Sequence, residues 1–160
     1  MARAAAYVIT NAESSTLHLP NLRTRPADYD PDVRDRMLAG ALLPATAYLQ
    51  AQRVRARFQK IVGEIFTQYD ILLAPSTPMT APLIGQKTMQ LDGEEMLVRP
   101  HLGLYTQPFS FVGLPVVSVP VSGSLPIGVQ IIAAPWQEAK ALQVAQVLED
   151  RGFVSAVPQF

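Results

Sequence analysis

The chain has 160 residues, thirteen Lys and Arg balanced by thirteen Asp and Glu, and no cysteine. That length suits a single domain, residues 1–160, with a core of its own. Neutrality argues against a nucleic-acid protein, which needs a local excess of basic residues. The lack of cysteine excludes disulfides, thiolate metal sites and cysteine nucleophiles.

From the N-terminus, residues 3–17 read as an Ala-rich helix with Tyr7, Val8 and Leu17 as its apolar points, ending before Pro20. The apolar start is far too short to span a membrane and is broken by Thr10, Asn11 and Glu13, so a soluble cytoplasmic protein is expected. A polar connector leads to Asp30-Pro31, an N-cap followed by proline at the first helical position. A modestly amphipathic helix then runs from Pro31 to about Leu43.

The strongest periodicity lies between Pro44 and about Gln68. Tyr48, Ala51, Val54, Phe58, Ile61 or Val62, Ile65 and Tyr69 recur at steps of three and four, the signature of one apolar helix face. Arg53, Arg55, Arg57 and Lys60 fall mostly on its solvated side. Asp70–Ala74 reads as a short buried strand stopped by Pro75 and Pro78.

Within the loop region 79–100, Met89–Leu91 and Glu95–Leu97 flank Asp92-Gly93, the sequence of a small hairpin. A short helix or turn is expected over 103–112. Two apolar strands follow, Val116–Val121 and Ile127–Ile132, each introduced by Leu-Pro. A last helix spans Gln137–Arg151, with Ala141, Leu142, Ala145 and Leu148 inward and Gly152 as its stop. Apolar strands alternating with helices define an α/β class, with strands expected to be covered on both faces.

Residue chemistry by itself yields no active site. His18 and His101 have no carboxylate or second histidine at ligand spacing, so no metal is expected. Ser14-Ser15 lacks both a strained nucleophile turn and a nearby lysine or histidine. Glu94-Glu95 after the Asp-Gly turn reads as a solvated pair.

Longer strings resemble a known family. Ala51-Gln52-x-x-Arg55 with Phe58 and Phe66, then Tyr69 to Pro78 (YDILLAPSTP), is similar to the amidase-signature hydrolases. So are Tyr105 to Pro120 (YTQPFSFVGLPVVSVP) and Leu125 to Ile132 (LPIGVQII), followed by Glu138 and a helix ending at Leu148-Glu149. Ala12-Glu13-Ser14-Ser15 adds to the likeness. It covers essentially the whole chain but corresponds to the C-terminal third of the family's length, and within the family it looks most like the branch acting on small amides such as biuret and allophanate.

The resemblance implies a partial amidase-signature fold, with short mixed-sheet strands covered by helices. It also implies hydrolysis of an amide C–N bond by a serine, a second serine and a lysine, with an oxyanion hole in a Gly-Ser-Ser-Gly-Gly-Ser-like loop. No such loop occurs in the chain, and Lys60, Lys87 and Lys140 are not in the family's lysine contexts. Catalytic residues are therefore expected upstream of Met1, and the chain alone is expected to be inert.

What the resemblance carries over is the substrate-facing side of the cleft. Arg36 falls where the glutamine-using members hold the substrate carboxylate, for which a guanidinium offers bidentate bonding; pairing with Asp32 or Asp35 is the structural alternative. Gly103 falls where those members hold the substrate's ammonium with an aspartate, so an amino-acid substrate is not implied. His101 and Tyr105 flank the same turn and are further candidates, whereas Gln130 is expected to satisfy buried backbone groups. No cofactor is implied. Two functional classes follow: part of a hydrolase needing an N-terminal amidase partner and taking a small amide, or an interaction module that self-associates or pairs with a partner protein. Both imply exposed apolar surface where further strands would pack, so a homo-oligomer is expected.

Overall fold

The computed structural model describes residues 1–121, 125 and 127–154. The chain forms two compact units, Met1–Lys60 and Ile61–Phe160. No described helix is long and apolar enough to cross a membrane.

The first unit is helical. Helix α1 spans Ala2–Thr24, α2 spans Pro31–Gly40, and α3 begins at Ala45 and runs to Ile65, past the unit's boundary; a 3₁₀ turn, Pro26–Asp28, links the first two. Asp30 caps α2 as the sequence predicts, its side chain accepting from the Asp32 N–H at 3.0 Å, with Pro31 at the first helical position.

Helix α1 does not stop before Pro20; it carries that proline inside. A proline there removes one helical bond and costs about 3 kcal/mol. Pro20 and Thr16, whose carbonyl loses its partner, both lie on the exposed face, where solvent can take up the acceptor. Beyond them Leu22 is only 4 % exposed, and its burial holds the last turn in place.

The apolar points expected on α1 also shift. Tyr7 and Leu17 face outward, and the buried seam is Ala5, Ala6, Ile9, Asn11, Ser15 and Leu22. Small residues suit this seam because α2 lies close against it. Gly40, the last residue of α2, touches the Asn11 carbonyl and the Ser15 hydroxyl so closely that a Cβ has no room. The Ser15 hydroxyl lies within hydrogen-bond reach of the Met37 carbonyl and, at 2.5 Å, of the Asn11 carbonyl. Ser15 is thus a helix–helix fastener and not a nucleophile.

On α3, Ala51 and Val62 are the deeply buried points, while Ile61, Ile65 and Tyr69 are exposed, so the inward stripe follows Val62. The Tyr48 hydroxyl ties α3 to α1, donating to Glu13 Oε1 at 2.9 Å and accepting from Gln52 Nε2 at 2.8 Å.

The second unit holds a three-stranded sheet in the order β1-β5-β4: Ile71–Pro75, Ile127–Ala133 and Val116–Val121. Both pairings are antiparallel, with Leu73 opposite Ile131 and Ser118 opposite Gln130. Pro126, expected to introduce β5, lies outside the described residues. A hairpin of β2 (Thr88–Leu91) and β3 (Glu94–Leu97) turns on Asp92 and Gly93, both with positive φ, the conformation a two-residue I′ turn demands. Glu94 and Glu95 are exposed on it, as the sequence implied.

Helix α6 (Glu138–Asp150) packs on β5 and β4 through Ala141, Val144, Ala145 and Leu148, against Val117, Val119, Val129, Ile131 and Ala133. Leu142, expected inward, is 59 % exposed, and Val144 takes its place. The expectation that these strands are covered on both faces holds only for Gln130–Ala133 of the central strand. The flanking strands expose Leu73 and Val116, because α6 covers only part of one face.

At the edge of this sheet Lys140 Nζ donates to Asp70 Oδ1 at 2.5 Å, and both side chains are solvated. The bond and the charge of Lys140 hold the Asp70 carboxyl below its ordinary value. A depressed carboxylate contributes stability above its unfolded-state pKa and loses it as pH falls through the folded value. Lys140→Met should therefore cost a little stability at neutral pH, and the difference from wild type should vanish in denaturant titrations at strongly acid pH. It should also shrink in high salt, as for any exposed pair.

Candidate functional site

Three of the four site residues expected from the sequence lie on one short segment of the second unit. Helix α4 (Val98–His101) leads through a turn to α5 (Gln107–Ser110). Backbone bonds from Leu102 N–H to Val98, Leu104 N–H to His101 and Gln107 N–H to Gly103, each at 3.0 Å, wind the segment tightly. His101 closes α4: its Nδ1 lies 2.8 Å from the Leu97 carbonyl, and since a carbonyl only accepts, Nδ1 is the donor.

Gly103 is not demanded by the backbone here. Its φ is not positive, and a Cβ would meet only Thr106 Oγ1 at an ordinary 3.7 Å. An alanine fits, so the glycine leaves space that the fold itself does not require. The Tyr105 carbonyl accepts from Gln130 Nε2 at 3.1 Å. The same nitrogen donates to the Pro75 carbonyl, at the end of β1, at 2.7 Å. Gln130 is 1 % exposed, so the role expected for it, satisfying buried backbone carbonyls, is the one it performs.

Arg36 belongs to the first unit, on the exposed side of α2. Its guanidinium lies 5.1 Å from the centroid of the Tyr7 ring, in cation–π range. Asp35, one of the two aspartates considered as its partner, is bonded by its neighbour instead, with Arg34 Nε donating to Asp35 Oδ1 at 3.2 Å. His18, which lies inside α1, meets Tyr29 edge-on, with Nδ1 3.2 Å from the Tyr29 hydroxyl.

One polar pair was not legible in the sequence. Ser76 Oγ and Ser118 Oγ are 2.7 Å apart, reaching over Gly128 of the central strand, with the Ser76 N–H bonded to the Gly128 carbonyl at 2.8 Å. Forty-two residues separate the two serines, and only the β1-β5-β4 register brings them together. The one hint is the glycine itself, within an otherwise apolar strand.

Beside β4 an open groove of about 490 Å³ is lined by Gly113–Val117 and by Glu138, Ala141 and Leu142 of α6. Among the described residues no group of three His, Asp or Glu side chains is placed to hold a metal.

The second unit is thus an antiparallel three-stranded sheet backed by α6, with a Gly-Val-Gln strand at its centre and a wound turn docked on it. The amidase family model matches residues 1–142, and the chain belongs to that family. It is 47 % identical over 154 residues to AtzE, the 1-carboxybiuret hydrolase subunit of Pseudomonas sp. (strain ADP), covering 94 % of this chain and 34 % of that protein. It is 34 % identical over 155 residues to a glutamyl-tRNA(Gln) amidotransferase subunit of Rhizorhabdus wittichii, covering 92 % of this chain and 30 % of that one. Among solved structures it is similar to a chain from a vestigial protein complex that bears on the origins of an s-triazine catabolic enzyme. The TM-score is 0.91 at 45 % identity, over 98 % of this chain and 35 % of that one. The chain thus spans about a third of the length of the curated relatives it matches.

Proposed function

We propose that the chain is the C-terminal portion of an amidase-signature hydrolase acting on a small amide of the biuret or allophanate type, and that it supplies the substrate-facing side of the cleft. The observation that carries the substrate class is the 47 % identity, over nearly the whole chain, to a 1-carboxybiuret hydrolase subunit. On this reading the turn of the second unit bearing His101, Gly103 and Tyr105 faces the amide. Arg36, on the first unit, is by itself a candidate for holding a carboxylate. The space left open at Gly103 fits a substrate with no ammonium to be gripped there.

The serine nucleophile, the lysine relay and the oxyanion hole belong to residues outside these 160. The chain by itself therefore binds without turning over. Ammonia release from biuret should stay at the heat-killed control level for the purified chain and should rise when the N-terminal two thirds of a close amidase relative is added. Turnover by the chain alone, or none from a mixture that co-elutes as one complex, would each sink this reading.

A second reading, an interaction module that self-associates, draws on Trp136, which is 89 % exposed, and on the exposed Val116 and Leu142 beside the groove. Apolar surface of this kind marks interfaces. Elution of the chain as a monomer at every concentration in size-exclusion chromatography with light scattering would count against it.

A further inference from the structure

Gln130 stands out among the buried side chains of the second unit. It occupies the middle of the central strand, between Ala74 of β1 and Ser118 of β4, with Ile131 and Ile132 beside it fully buried. Valine or isoleucine is the ordinary choice for such a position. Burying an amide is costly unless its hydrogens are bonded. A side-chain amide has two N–H donors, and Gln130 has two acceptors for them: the Pro75 carbonyl at 2.7 Å and the Tyr105 carbonyl at 3.1 Å.

The two acceptors lie on different parts of the unit. Pro75 ends β1, and Tyr105 lies in the turn between α4 and α5. The turn's own bonds join residues three or four apart, Gln107 N–H to Gly103 and Ser110 N–H to Thr106 among them. These fix the internal winding of the segment and say nothing of where it sits on the sheet. The Gln130 fork joins that winding to the sheet at Tyr105, two residues from Gly103 and four from His101.

We infer that Gln130 is a positioning residue: its amide fork docks the 101–110 turn on the sheet and so sets where Gly103 and Tyr105 face the substrate. This rests on the reading of that turn as substrate-facing. Gln130 itself touches no substrate; it acts through the turn.

Two substitutions isolate the fork. Gln130→Met fills the same space with no donor. Gln130→Glu keeps the shape but, when ionised, sets a carboxylate against two carbonyls; when protonated it has one O–H to donate. Burial raises the pKa of such a carboxyl, so part of the docking should return as pH falls.

Amide hydrogen exchange of the full chain by NMR is the first readout. In Gln130→Met, exchange at residues 102–107 should rise at least tenfold while that of β5 and α6 changes less than threefold. In Gln130→Glu the turn should be loose at neutral pH and recover protection at pH 5, a pH response that loss of packing would not give. Unchanged exchange in the turn, with the fold intact, overturns the proposal.

The second readout is steady-state kinetics with biuret in the complex reconstituted with an amidase N-terminal portion. Gln130→Met should raise KM at least fivefold with kcat within twofold. A loosened turn with an unchanged KM would show that the turn does not face the substrate, and would overturn the positioning role while leaving the docking bond standing. Should Gln130→Met fail to fold, the wild-type chain decides: both side-chain amide hydrogens of Gln130 should exchange no faster than the turn's own backbone amides. Exchange at the rate of a surface glutamine would overturn the inference.

Discussion

Gly128→Ala should destabilise the second unit by about 1–3 kcal/mol, the usual cost of forcing an extra methyl into a packed site. A Cβ at Gly128 would lie 2.6 Å from Ser76 Oγ, 2.8 Å from Ser76 Cβ and 2.9 Å from Ser118 Oγ. The hydroxyls can rotate away, but Ser76 Cβ is fixed to the backbone, so β1 and β5 must move apart or twist. The Ser76–Ser118 bond at 2.7 Å would break in the process. Urea unfolding of a double-mutant cycle measures this. In a Ser76→Gly background most of the penalty should disappear, because the two closest contacts belong to Ser76. Ser118→Ala should relieve only a small part. Additive effects across the Ser76 cycle would show that the clash is elsewhere.

Gly40→Ala should be about as costly, about 1–3 kcal/mol, and harder to relieve. The added methyl would run into the backbone carbonyl of Asn11 and the Ser15 hydroxyl, and a helix carbonyl cannot swing aside. Separating α2 from α1 would also pull Met37 away from Ser15, leaving a buried hydroxyl with fewer acceptors. Gly63→Ala is the internal control. That glycine lies within α3 and an added methyl there would meet nothing within 4 Å, while alanine in a helix interior is favoured by about 0.5–1 kcal/mol. Thermal unfolding should place Gly40→Ala below wild type and Gly63→Ala at or above it. An equal gain in both would mean that helix propensity, not helix contact, sets the effect at residue 40.

Family and class could be read from residue order alone. Leu114-Pro115 before β4, the Asp-Gly turn and the Gly-Val-Gln strand are local signals, and each marks the element it was expected to mark. The N-cap at Asp30 and the role of Gln130 were legible for the same reason: each follows from one side chain's capacity for hydrogen bonds and its place in an apolar or helical run. The candidate substrate residues were assigned through resemblance, and their positions follow the chain, with His101, Gly103 and Tyr105 on one wound turn and Arg36 on α2.

Tertiary structure decided the rest. Helix α1 runs through Pro20 because the lost bond falls on its wet face while Leu22 is buried beyond it, a balance no local rule contains. The inward seam of α1 sets Ala5, Ala6, Asn11 and Ser15 beside Ile9 and Leu22 and leaves Tyr7 and Leu17 outside, and it is small and polar at Asn11 and Ser15 because Gly40 of α2 lies against them. Leu142 points away and Val144 inward because the position of the sheet beneath α6, not hydrophobicity, selects the buried face. The Ser76–Ser118 pair shows the same division at one point. Sequence supplied two serines and a glycine, and strand register alone set one hydroxyl against the other.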